Sequence, residues 1–166
     1  MKSETLTPTP ATGFRFLNQV LNPFVRFMLH SPWHALMSGS LLLLTYQGRK
    51  SGQEHTLPVQ YVQVGQTFYM VAGQAEQKRW WRNLVGGAPV RLWVRGQEYQ
   101  ATAQVFTGGQ ADADLVDGLL TYFTRFPAAA QERGVSRLPD GSFDRSTVQA
   151  AATQMTVIHA VIQGAG

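Results

Sequence analysis

The sequence predicts an antiparallel barrel or α+β domain, mainly β, with helices at its flanks. Three observations lead there. The middle of the chain is a series of short apolar or alternating segments separated by glycine turns. The segments on either side change to helical spacing. At 166 residues, 44% of them apolar and 14% charged, the chain is long and apolar enough to bury one core without cross-links.

The elements follow in order. Met1–Gly13 is polar and rich in Thr and Pro, and reads as a flexible lead before a single domain from Phe14 to Gly166. Phe14, Leu17, Leu21, Phe24 and Met28 follow helical spacing. Asn22-Pro23 interrupts them as a kink or restart, and Ser31-Pro32 opens a short helix to about Met37. Leu41–Tyr46 reads as a buried strand, Thr56–Val64 as the next, and Gly65-Gln66 turns the chain into Thr67–Ala72. Lys78–Val85 reads as a short helix stopped by Gly86-Gly87 and Pro89. Val90–Arg95 alternates, Gly96-Gln97 turns, and Glu98–Phe106 returns. Gln110–Arg133 is helical with a break at Pro127. Pro139-Asp140-Gly141 is a turn, Arg145–Ala152 a short helix and Gln154–Ile162 a closing strand.

Charge is unevenly placed. Between Leu41 and Thr107 seven Lys/Arg face three acids, which accounts for the whole net charge of +4. A local positive field there favours an anionic ligand. The excess is too small and too dispersed for a nucleic-acid binder, so no nucleic-acid partner is expected. With no cysteine, disulfide frameworks, Cys-based metal centres and thiol nucleophiles are excluded. His30 and His34 have i,i+4 spacing, but Ser31-Pro32 between them breaks the helix, and no metal site is expected. There is no G-x-S-x-G elbow, and carboxylates are sparse. No apolar run approaches the roughly 20 residues of a membrane span, and the N-terminus lacks the apolar core of a signal peptide, so a cytoplasmic location is expected. The apolar Phe14–His30 helix packs on the sheet in the favoured reading. The alternative is a weak membrane-surface contact.

Two features carry candidate chemistry. The turn Gly48-Arg49-Lys50-Ser51-Gly52 offers backbone amides, a hydroxyl and two cations between strands, which suits a phosphate or carboxylate. Read alone, it is more often an ordinary solvated hairpin, since Lys, Ser and Gly are common turn residues. It is not a P-loop, because the spacing and the following helix are missing. In Lys78–Asn83, Lys78, Arg79 and Arg82 accompany Trp80 and Trp81. On a helix Lys78 and Arg82 share a face, as do Arg79 and Asn83, and indole and guanidinium planes both stack on flat rings. The Arg91/Trp93/Arg95 face carries no assigned role.

These two features in this order, Leu42-Leu43-Leu44-Thr45-Tyr46-Gln47-Gly48-Arg49-Lys50-Ser51-Gly52, then Thr56-Leu57-Pro58-Val59, then Trp81-Arg82-Asn83-Leu84, resemble the deazaflavin (coenzyme F420)-dependent nitroreductase family. The likeness covers roughly Phe14 to Phe106 and fades past Gly108. It implies an FMN-binding-type split β-barrel of about six antiparallel strands with flanking helices and an N-terminal helix. It also implies an oxidoreductase in which reduced F420 delivers hydride to a small flat acceptor such as a quinone or nitro compound. FMN in place of F420, or a non-catalytic cofactor-sequestering protein, are the alternatives. Many split barrels pair through their sheets, so a homodimer is also expected.

Carried over by resemblance, Arg49, Lys50 and Ser51 hold phosphate. Pro58, Val59 and Gln60 line the ring system. Ala72, Gly73 and Gln74 lie near the following loop. Lys78, Trp80, Trp81, Arg82 and Asn83 close the other side of the cofactor channel. His55 stands as a tail contact where family members often have Arg. The tyrosines that shape the substrate pocket in related nitroreductases lie in the C-terminal part, where Tyr122 is a candidate by location only.

Overall fold

A computed structural model describes residues 39–164. The lead, the helices read over Phe14–Met28 and Ser31–Met37, and the His30/His34 pair lie outside the described residues. So does any membrane contact through that segment.

Six strands form a closed antiparallel barrel in the order β1-β2-β3-β6-β5-β4. They are β1 (Leu41–Gln47), β2 (Glu54–Val64), β3 (Thr67–Val71), β4 (Ala88–Val94), β5 (Gln97–Thr107) and β6 (Thr156–Ile162). Three helices follow β5: α1 (Ala113–Arg125), α2 (Pro127–Glu132) and α3 (Arg145–Ala152). A short 3-10 helix, Trp80–Leu84, joins β3 to β4. β1 meets β4 through Leu43–Trp93, Leu44–Leu92 and Thr45–Arg91, which closes the barrel and removes its edges.

Strand alternation sorts side chains into two cores. Leu42, Leu44, Tyr61, Phe68, Met70, Leu92, Ala101 and Ile158 fill the barrel interior. Val62, Tyr69 and Val157 point out from the same strands into a second core beneath the helices, with Leu115, Leu119, Tyr122, Phe123 and Val148. Strands buried on both faces read as continuous apolar runs, as β3 does.

α1 presents Leu115, Val116, Leu119, Tyr122 and Phe123 on one stripe. Asp112 caps it, accepting from the Leu115 N–H at 2.8 Å. Gly118 lets it come close to the barrel: a Cβ there would stand 2.5 Å from the Tyr69 ring. Pro127 occupies the first turn of α2, where its missing N–H has no intrahelical partner to lose. That is why the long helical segment breaks there. Asp144 caps α3, accepting from the Ser146 N–H at 2.9 Å.

The segment read as a helix over Lys78–Val85 is instead the 3-10 turn. The chain reaches it through a tight turn in which the Gln77 and Lys78 N–H groups both donate to the Gln74 carbonyl, and it ends at Gly86 and Gly87, both at positive φ. Too few residues remain between these stops for α-helical hydrogen bonds to repeat.

Candidate functional site

The basic turn between β1 and β2 is closed by backbone. The Gly48 N–H donates to the Gln53 carbonyl and the Gly52 N–H to the Gly48 carbonyl, each at 2.8 Å. Gly52 has φ 67, a left-handed conformation that glycine adopts without a Cβ clash. A Cβ on Gly48 would stand 2.6 Å from Ser51 Oγ and 3.2 Å from His55 Nε2, so any side chain there would displace the Ser51 hydroxyl. Ser51 Oγ in turn accepts from the Gln53 N–H at 3.2 Å. Arg49 and Lys50 project to solvent. The ion pairs among the described residues, Arg91–Glu54 and Arg145–Asp117, leave both without an acid partner.

The 3-10 helix fastens to this turn. Asn83 Oδ1 accepts from the Arg49 N–H at 3.0 Å, while Asn83 Nδ2 donates to the Trp80 carbonyl at 2.9 Å. Trp81 is anchored by its indole N–H to the Ala75 carbonyl at 2.9 Å, and the Arg82 guanidinium lies 5.5 Å over its ring. Lys78 falls outside the helical segment, so the shared Lys78/Arg82 face expected of an α-helix does not form. Trp80 packs against Tyr46, which stacks on His55 with ring centroids 5.4 Å apart. A ladder of rings thus runs from the basic turn to Trp80.

Trp80 is also a wall of a pocket of about 510 Å³, within the usual range for small-ligand sites. Leu57, Pro58, Val59 and Gln60 of β2, with Val71 and Gly73 after β3, form one side. Lys78 stands beside Trp80, and Tyr122, Ala129, Glu132 and Arg133 come from α1 and α2. From His55 to Pro58 is roughly 10 Å along an extended strand, so the turn lies about one ring-system length from the pocket.

The structure therefore brings Pro58, Val59, Gln60, Gly73, Lys78, Trp80 and Tyr122 around one cavity. Arg49, Lys50, Ser51 and His55 do not line it and stay in and beside the β1–β2 turn. Asn83 links the two groups, while Trp81 and Arg82 brace the 3-10 helix. Ala72 is buried, its N–H donating to the Thr156 carbonyl at 3.0 Å, and Gln74 is exposed at φ 52 in the loop. Leu57, Val71, Ala129, Glu132 and Arg133 were not read from sequence. The first two follow from strand neighbours. The others needed the fold, because nothing local says that α2 folds back over β2.

Tyr122 is nearly sealed, and its hydroxyl donates to Gln60 Oε1 at 3.4 Å. Burial pushes its pKa up to about 12, against the downward pull of the Arg133 charge. It is a neutral donor at physiological pH. Burial likewise raises the pKa of Tyr46.

A deazaflavin cofactor carrying an anionic tail suits these residues. It needs unpaired cations at one end and a slot with apolar walls and few polar groups at the other. Arg49 and Lys50 offer the first. Leu57, Pro58, Val59 and Trp80, with the Gln60 and Lys78 side chains, offer the second.

Comparison with known proteins agrees. Residues 29–129 match the family described as F420H(2)-dependent quinone reductase. No curated protein matches the chain. Among solved structures, an F420-H2 dependent reductase (FDR-A) superposes with a TM-score of 0.50 at 16% identity, covering 73% of this chain and 93% of that one. A structure described as a domain-swapped dimer superposes with a TM-score of 0.53 at 16% identity, covering 84% and 98%. Both share the barrel fold. The family match spans the basic turn, all of β1 to β5 and the 3-10 helix, and through it the chain belongs to the F420H(2)-dependent quinone reductase family, with coenzyme F420 as its cofactor.

Proposed function

We propose that the chain is an oxidoreductase that binds F420 along the line from the basic turn to the pocket and passes hydride to a flat quinone held there. The observation that supports this reading is the Arg49–Asn83–Trp80 connection, in which Asn83 ties the two sequence features together by hydrogen bonds. Arg49, Lys50 and Ser51 take the phosphate, with His55 beside them. Pro58, Val59 and Gln60 line the ring, with Gly73, Lys78 and Trp80 around it. When bound, the reduced cofactor supplies the hydride. The chain's residues orient the two flat molecules face to face, keep bulk water from them and hold the Tyr122 proton close to the acceptor. The apolar walls and the scarcity of carboxylates fit a reaction whose difficult step belongs to the cofactor.

Nitro compounds are a further acceptor class for the same slot. The reading also takes the protein as a single cytoplasmic domain that pairs as a homodimer.

Titrating the purified protein with F420 and, separately, FMN, followed by fluorescence and then turnover of menadione, tests this. Micromolar F420 binding with turnover is expected. Tight FMN binding without F420 binding would overturn the cofactor assignment, and F420 binding without turnover on any acceptor would point to cofactor sequestration.

A further inference from the structure

Among the described residues one buried side-chain polar atom lacks a hydrogen bond: Nε of Arg133. Arg133 caps the C-terminus of α2, its N–H returning to the Ala130 carbonyl at 3.2 Å. That tight turn places the side chain on the α1–α2 side of the pocket, next to Tyr122. Neither ion pair among the described residues involves it, although Glu132 lines the same cavity. Nε itself is sealed, so a ligand in the cavity meets the terminal nitrogens of this guanidinium, which has no acid partner among the described residues and gains most from a ligand oxygen bearing negative charge. Tyr122 offers a second donor. Its hydroxyl is held only at 3.4 Å by Gln60, a long bond easily exchanged for a better acceptor.

We propose that Arg133, with the Tyr122 hydroxyl, forms an oxyanion site that determines acceptor specificity and favours quinones carrying an ionised oxygen on the ring, the hydroxyquinones. This rests on the reading that the pocket takes the acceptor. Two electrons and one hydrogen enter the quinone as hydride. A neutral quinone then becomes the hydroquinone monoanion and an ionised hydroxyquinone the corresponding dianion, with the new negative charge on a former carbonyl oxygen. A proton from water completes the hydroquinone. A cation already at that oxygen stabilises the anion as it forms and binds a substrate that is anionic from the start.

The test needs no cofactor. Quenching of tryptophan fluorescence by lawsone, a naphthoquinone whose ring hydroxyl is ionised at neutral pH, is compared with quenching by neutral menadione. Wild-type protein is expected to bind lawsone about tenfold more tightly, the size of one charge-assisted hydrogen bond. That preference should vanish when the pH falls below the pKa of lawsone itself, a control needing no variant. Arg133→Gln should abolish the preference, Arg133→Lys should keep part of it, and F420 affinity should be unchanged in both. Equal affinities in wild type, or a preference that survives Arg133→Gln, would overturn the proposal. If wild type prefers lawsone but does not bind F420, the oxyanion site stands and the functional reading falls.

Discussion

The two ends of the site are built in opposite ways. The β1–β2 turn is exposed, basic and held by bonds between residues close in sequence, with Asn83 as its one distant clasp. The α1–α2 wall sets the buried Tyr122 beside the half-buried Ala129 and Arg133 and the exposed Glu132, and Gly118 lets its first helix lie against the Tyr69 ring. A phosphate anchor can stay wet, since its partners are strongly charged and a few backbone amides suffice. A site for a flat, weakly polar acceptor must exclude water, and that takes packing across distant parts of the chain.

If the two ends are built independently, substitutions at one should leave the other intact. The largest effect is expected from reversing both charges of the turn. Arg49→Glu with Lys50→Glu replaces two attractions by two repulsions on solvent-facing residues. F420 affinity should fall about a hundredfold, at least one charge-assisted contact's worth for each position, while the thermal midpoint barely moves. Fluorescence titration beside circular dichroism measures both. An unchanged affinity would detach the cofactor from the turn.

Next comes Gly118→Ala. Replacing a mid-helix glycine normally gains up to about 1 kcal/mol of helix propensity. Here the new methyl group would lie 2.5–2.6 Å from three atoms of the buried, rigid Tyr69 ring, so overpacking wins. A net loss of about 1–3 kcal/mol is expected in denaturant unfolding. Acceptor binding should weaken more than F420 binding, because α1 must lift from β2. A more stable variant would show that the helix sits further from the barrel.

A third prediction concerns Tyr122, whose effect appears only at alkaline pH. Its folded pKa is raised, to about 12 against an ordinary 10, so its contribution to stability is complete below pH 10. As pH rises from 10 to 12 the unfolded chain releases this proton and the folded one keeps it, so that contribution is lost. Wild type should therefore lose stability more steeply over this interval than Tyr122→Phe. Parallel curves would mean that the hydroxyl is wetter than its burial indicates.

The same contrast explains what could be read without the fold. The strands, the break at Pro127, the helix Arg145–Ala152 and the two motifs are each written in local pattern. The 3-10 helix was read as α-helical because Trp80–Leu84 has ordinary helix-forming residues. Only the tight turn at Gln74 before it and the paired positive-φ glycines after it show that there is no room for one. Tyr122 was located only by its place in the chain. Arg133 reads from sequence as the end of a helix, and its place on the same cavity as Gln60 and Tyr122 depends on how α1 and α2 face β2. No spacing rule within the sequence records that contact.

The central claim is that one ligand spans both ends, with its phosphate on the turn and its ring in the pocket. A structure of the protein with F420 bound tests this most directly. Phosphate oxygens are expected within hydrogen-bonding distance of Arg49, Lys50 and Ser51, and the ring against Pro58, Val59 and Gln60. Phosphate bound instead beside Arg95 and Arg125, which line a separate groove on the barrel, would contradict it.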